Sequence, residues 1–262
     1  MQISASYNFF NGDEHLIPSL LLMRQCVEHI SIVWQSVSNS GEPITPYAKQ
    51  TLLAAQDAGL VDAVIAYEPD LMLERHENER AKRRIGLAVA RNAGATHFLS
   101  VDADEFYRPQ EFHAARNLIE KYGCTSTSVN TFLHLKRPIF RAPDNTCCCF
   151  VTAITDMTEI GVLEFPHPNI DPTRRMTANS QNHHHFDPSV VAMYHMNLVR
   201  RDLEQKLRNS TTRDTDFLHK VQRAVQQWKP GQDFCFPNKG KLDISEVPNE
   251  FNTFDDDAER IS

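Results

Sequence analysis

Short apolar runs alternate with amphipathic stretches along the first hundred residues, and this alternation limits the choice of fold more than any other feature. Residues 3–10 read as a strand running into Asn11-Gly12-Asp13, and 16–27 show helical spacing through Leu16, Leu20, Met23 and Val27. A strand at 30–37, the turn Ser38-Asn39-Ser40-Gly41, a helix at 46–58 and a short strand at 61–66 follow. A charged amphipathic helix at 74–93 then leads into a fourth strand at 96–101. Strands and helices in strict alternation predict a mostly parallel sheet with helices on both faces. A helix at 109–122 and a strand at 126–135 extend it.

Beyond residue 135 the pattern loosens. Residues 136–181 carry Pro138, Pro143, Pro166, Pro168 and Pro172, which break long helices and predict an irregular second half with one strand at 147–155. Irregular segments at the ligand end of a sheet often shape an acceptor pocket. A last strand at 190–196 and a helix at 199–209, beginning near Asp202, complete the pattern.

With 262 residues, 41% of them hydrophobic, the chain can bury the core of one large α/β domain. Its net charge of -7 argues against a broad nucleic-acid footprint, although Lys82-Arg83-Arg84 could attract phosphate locally. No apolar run is long enough to span a bilayer, and the first residues lack the basic and apolar regions of a signal peptide, so a cytoplasmic setting is expected. The six cysteines show no spaced pairs, and Cys147-Cys148-Cys149 reads as buried free thiols in a strand. The acidic stretch 254–262 reads as a mobile tail.

The fourth strand ends unusually. The apolar run His97 to Val101 gives way to Asp102, Asp104 and Glu105, three carboxylates in four positions, whose mutual repulsion a cation would relieve. Ligands of open α/β sheets bind at the carboxyl ends of strands, and hard divalent ions use one or two protein carboxylates with phosphate and water as further ligands. The segment therefore reads as a metal-diphosphate site. The alternative is a solvated turn before the helix start Arg108-Pro109-Gln110-Glu111.

The β-α-β-α-β order, the helix with Gly86 and Arg91-Asn92, and the run Phe98 to Phe106 together resemble a nucleotide-sugar-dependent glycosyltransferase of the GT-A fold. The resemblance is to family 2 and its small bacterial and phage relatives, and it covers about residues 3–210. Ile170-Asp171-Pro172-Thr173-Arg174 and Met193-Tyr194-His195-Met196, followed by Val199-Arg200-Arg201-Asp202, Lys206, Asn209 and Ser210, carry it further. It implies one domain at 1–253 with a mixed, mostly parallel sheet: a nucleotide-binding part at about 1–107 and an acceptor- and metal-completing part at about 108–253.

Several site residues are implied position by position. Asp102 would lie near the ribose or sugar, and Asp104 with His195 would hold Mn²⁺ or Mg²⁺ between the phosphates. Lys206 and Asn209 would lie near the diphosphate, and Asn8, Phe10, Gln35 and Ser38 would hold the base of a UDP-sugar or related donor. Two departures from the family pattern stand out. Tyr7-Asn8-Phe9-Phe10-Asn11-Gly12 replaces a proline-containing turn with an Asn-Glu pair, and Gln35 to Asn39 lacks the aspartate that often grips uracil.

On residue chemistry, Asp104 and an imidazole such as His195 would favour Mn²⁺, while His195 reads equally as an ordinary strand histidine. Asp171 is the preferred acceptor base, with Glu164, Asp156 and Asp187 as rivals, although Asp171-Pro172-Thr173 also has the form of a turn or helix cap. His183-His184-His185 reads as a polar loop, since adjacent side chains diverge. Lys82-Arg83-Arg84 has the form of a solvated helix face, with Lys82 or Arg83 aimed at a diphosphate as its functional alternative.

The leading expectation is transfer of a sugar to a hydroxyl acceptor, either a glycan precursor or a modified DNA base. A nucleotidyltransferase should show a glycine-rich basic loop after the first strand, and residues 8–14 contain one glycine and no basic residue. A non-catalytic carbohydrate- or partner-binding module would not need the acidic strand end.

Overall fold

A computed structural model describes the chain except for residues 163–164, 167–169, 177–181 and 255–262, and the side chain of Asn145. Glu164, His167 and the tail at 255–262 lie outside the described residues.

The first half winds as its periodicity requires. β1 (Ile3–Phe9), β2 (His29–Trp34), β3 (Ala63–Ala66) and β4 (His97–Asp102) form a parallel sheet in the order β3-β2-β1-β4. β1 is buried along its whole length, as befits a parallel strand covered on both sides. Its odd residues Ile3, Ala5, Tyr7 and Phe9 join the main core with α1 (Asp13–Met23) and α2 (Pro46–Asp57). Its even residues Ser4, Ser6 and Asn8 take the opposite face, where α3 (Arg75–Asn92) packs. Gly86 makes that packing possible, because a Cβ there would lie 2.1 Å from Ser6 Oγ.

The second half turns the sheet antiparallel. After β5 (Glu105–Phe106) and α4 (Pro109–Tyr122), β6 (Ser126–Leu135) and β7 (Arg137–Ala153) form a long hairpin whose second strand lies against β4. β8 (His183–Phe186) and β9 (Met193–Leu198) pair parallel with β6, and β9 pairs antiparallel with β5. The path is β3-β2-β1-β4-β7-β6-β9-β5, a mixed, mostly parallel sheet flanked by helices. α5 (Leu203–Arg208), α6 (Thr215–Gln227), the hairpin β10 (Phe234–Phe236) and β11 (Gly240–Leu242), and β12 (Ser245–Glu246) follow. Val221, Val225 and Trp228 close a second core over Leu133, Leu135, Phe140 and Leu198.

Three expectations need correction. The strand expected at 147–155 begins ten residues earlier, at Arg137, and contains Pro138 and Pro143. Register shifts between Asn130 and Thr131 and between His134 and Leu135 break the β6–β7 ladder, and such irregularities are where a strand tolerates proline. His183 to His185 is strand β8 rather than a loop, with His183 and His185 bonded to Ser126, Ser128 and Asn130 of β6. Lys82 and Arg83 are buried rather than solvated.

All six cysteines are free, and the consecutive three are buried. Among the described residues no helix is long and apolar enough to cross a membrane.

Candidate active site

β1, β2 and β4 end at one level, because Asn8 pairs in register with both Val33 and Asp102. α3 crosses behind these ends and presents Glu79, Lys82 and Arg83 to them. Glu79 is the centre of this wall. Its Oε2 accepts from Asn8 Nδ2 at 3.1 Å, and its Oε1 accepts from Asn39 Nδ2 at 2.7 Å and Lys82 Nζ at 2.9 Å. Burial alone would raise its carboxyl, but Lys82 and Arg83 hold it below the usual range.

The repulsion expected among Asp102, Asp104 and Glu105 is relieved by side chains of the protein itself. Arg83 reaches Ser100 Oγ at 2.6 Å and both Asp102 oxygens at 3.2 and 3.3 Å. Arg174, from the far side of the pocket, bonds Asp102 through Nη2 and bridges both oxygens of Glu105, one of them at 2.8 Å. Glu105 also accepts the backbone N–H of Asp102 at 3.0 Å, so it braces the strand end from within the core. Burial opposes ionisation of Asp102, yet Arg174 and Arg83 hold its carboxyl below the usual range.

β9 and α5 supply the opposite wall. Glu105 pairs with His195 across β5 and β9, and Met196 N–H donates to the Asp104 carbonyl at 2.8 Å, which places His195 beside the Asp104 side chain. His195 Nε2 lies 3.6 Å from Asp104 Oδ2. The same oxygen takes an ion pair from Arg200 and another from Lys206 at 3.1 Å. Asp104 is 3% exposed and His195 25% exposed. Burial again opposes charge on Asp104, and Lys206, Arg200 and His195 together keep its carboxyl well below the usual range. Asp202 caps α5 through Gln205 N–H at 2.8 Å, fixing the turn that carries Lys206. Further along, Asn209 bonds Ser40 at 3.2 Å and Glu42 at 2.7 Å, closing the second-strand end of the pocket.

These walls enclose a pocket of about 350 Å³. Asn8, Phe10, Gln35, Ser38, Lys82, Asp102, Asp104, Asp171, His195, Lys206 and Asn209 all line it, so the residues preferred from the sequence for base, diphosphate, metal and acceptor come to one place. Asp171 is half exposed. Its Oδ1 accepts from Thr173 N–H at 2.8 Å and Thr173 Oγ at 2.9 Å, the turn geometry its sequence also allowed, and its Oδ2 lies 3.8 Å from Arg174 Nε. Asp156 and Asp187 are exposed and do not line the pocket. Glu79 is the pocket-lining residue that sequence reasoning missed, Arg83 entered it as an alternative to Lys82 at the diphosphate, and Asn39, Arg174 and Arg200 entered it only as context. Their partners are set by tertiary contact, and only the spacing of Glu79 and Arg83 on one face of α3 could have hinted at them.

The donor set was weighed for a divalent ion. Asp104 Oδ2 and His195 Nε2 are close enough to be neighbouring ligands of one ion, and no group of three potential ligand residues occurs among the described residues. Such a pair fits an ion whose remaining ligands are phosphate oxygens and water.

No family model matches the chain, and no curated protein matches it. Among solved structures, S. aureus TarS 1-349 in complex with UDP aligns at 13% identity over 52% of this chain and 37% of its own, with a TM-score of 0.38. Its complex with UDP-GlcNAc aligns at 13% identity over 52% and 36%, again at 0.38. CMP:2-keto-3-deoxy-manno-octonic acid synthetase complexed with CTP aligns at 12% identity over 56% and 61%, at 0.33. Each alignment spans less than two thirds of the known protein, and at these scores the reading of the pocket rests on its own residues.

Proposed function

We propose that this chain transfers a glycosyl group from a nucleoside-diphosphate sugar to a hydroxyl acceptor. The observation that carries the reading is the convergence of Asp102 and Asp104 at the end of β4 with His195, Arg200 and Lys206 from the opposite wall. Among the described residues that line the pocket, four carboxylates, Glu79, Asp102, Asp104 and Asp171, stand beside four cations, Lys82, Arg83, Arg200 and Lys206. A site so balanced is suited to a ligand that brings its own neutralising charge, as a diphosphate does with a divalent ion.

Asp104 and His195 would hold that ion, Mn²⁺ or Mg²⁺, which when bound supplies electrophilic stabilisation of the departing diphosphate. Arg200 and Lys206, now on Asp104, are placed to take up phosphate charge as the leaving group separates. Glu79 and Arg83 keep Lys82 and Asp102 in position. Asp171 is the reading's acceptor base, because among the pocket-lining carboxylates of the described residues it alone makes no ion pair inside 3.5 Å. A glycan precursor is the acceptor class the family resemblance implies, with a DNA base as the second.

The nucleotidyltransferase reading shares the sheet, but residues 8–14 offer no basic cradle for a triphosphate. Incubating the full chain and Mn²⁺ with a set of nucleotide sugars, and in parallel with nucleoside triphosphates and sugar phosphates, separates the two. Release of nucleoside diphosphate that is lost in Asp104→Asn supports sugar transfer. Pyrophosphate release from a triphosphate overturns it.

A further inference from the structure

Asn8 and Gln35 stand at the carboxyl ends of β1 and β2, are 7% and 2% exposed, and line the pocket. Each leaves its amide oxygen without a hydrogen-bond partner among the described residues. Buried acceptors are rarely left so.

The orientation of these amides is set by charge. Glu79 is an acceptor only, so the Asn8 and Asn39 groups facing it must be their NH₂ ends, at 3.1 and 2.7 Å. Asn39 therefore turns its oxygen toward Gln35, which donates Nε2–H at 3.2 Å. One carboxylate thus fixes three amides and leaves two acceptors without partners, Asn8 Oδ1 and Gln35 Oε1, on residues that line the pocket at the ends of β1 and β2. Phe10 contributes a ring to the same pocket. Phosphate belongs with the cations, and a flat neutral group that donates hydrogen bonds belongs at the amide end.

Resting on the nucleotide-sugar reading above, we infer that this end selects a nucleobase with an exocyclic amino group, cytosine, adenine or guanine, over uracil. An amino group brings two N–H donors, and guanine adds a third at N1. Uracil offers one N–H flanked by two carbonyl oxygens, so serving one amide oxygen leaves the other facing a carbonyl. A site built to accept hydrogen bonds rejects the ligand that cannot donate them.

The test is calorimetric titration of the full chain with UDP, CDP, ADP and GDP in the presence of Mn²⁺. At least one amino-bearing diphosphate should bind about five- to a hundredfold tighter than UDP, the range expected for one buried acceptor left unpaired. Gln35→Met, which removes one acceptor at similar size, should shrink that ratio. UDP binding as tightly as or tighter than the other three overturns the inference and leaves the nucleotide site standing. Failure of all four to bind overturns the site reading itself. A ratio unchanged in a folded Gln35→Met chain also overturns the assignment, and the parent chain alone decides if that variant does not fold.

Discussion

At the residue scale, the motif at the end of β4 is held by its counter-ions more than by solvent. Arg174 and Glu105 are both almost fully buried, and the pair spans 69 positions in the chain. Breaking a buried pair from one side leaves a charge that water cannot reach, so Arg174→Met should cost about 3–5 kcal/mol in urea denaturation. Adding Glu105→Gln should recover part of that loss, a coupling that a double-mutant cycle reads directly. Asp171 makes a different prediction. Asn keeps the oxygen that closes the turn with Thr173, so Asp171→Asn should leave the melting temperature nearly unchanged and donor binding intact. If Asp171 is the base, turnover falls by about 10²–10⁴, and normal turnover would remove it from the mechanism. Asp104 was legible from the acidic end of its strand, and His195 and Lys206 only through the family resemblance. Arg174 was not, since nothing in its neighbourhood reveals which acid it will meet.

At the element scale, the site depends on how closely α3 lies against β1. Gly86 sets that distance. Gly86→Ala would drive a methyl into Ser6, where its Cβ would sit 2.1 Å from Oγ and 2.6 Å from Cβ of Ser6. Overpacking of this kind typically costs about 1–3 kcal/mol, and lifting the helix also moves Glu79, Lys82 and Arg83 away from the strand ends. Donor affinity should therefore fall together with stability in this variant, whereas a substitution on the exposed side of α3 should change neither. The elements of the first half were legible because each parallel strand and its helix carry their own periodicity. β8 and the first ten residues of β7 were not: polar histidines and prolines obscure the signal, and pairing with β6 decides their conformation. α6 and the small hairpin after it become intelligible only through the core they cover.

At the scale of the whole molecule, two buried histidines, one of which ties distant parts of the chain together, make its stability depend on pH. His15 donates from Nε2 to the Val199 carbonyl at 2.6 Å and meets Thr253 Oγ at 2.6 Å through Nδ1, joining α1 to the segment before Arg200 and to the end of the domain. His134 donates to the Pro138 carbonyl at 2.6 Å inside the long hairpin. Burial pushes both imidazoles down, to about 4 in each case. Between that value and the usual 6.5 the unfolded chain binds protons that the folded chain does not, so stability falls as pH drops through this window and is regained as it rises. Each site contributes roughly 3 kcal/mol at most, and the depressed carboxyls of Asp102 and Asp104 add a further loss only at lower pH. Melting temperatures measured from pH 7 to pH 4 should fall steadily, and His15→Gln should flatten the curve; a flat profile in the parent would show that neither histidine is neutral by burial. The alternation of apolar and amphipathic segments was enough to determine the parallel half of the sheet and the level at which its strands end, because those depend on local periodicity and short connections. The end of the fourth apolar run also marked Asp102, Asp104 and Glu105, while most of the residues gathered around them were reached only through the family resemblance. Which cation meets which carboxylate, and which amide oxygens are left free, was decided only by the tertiary fold, because those pairings join residues far apart in sequence through the burial of charge.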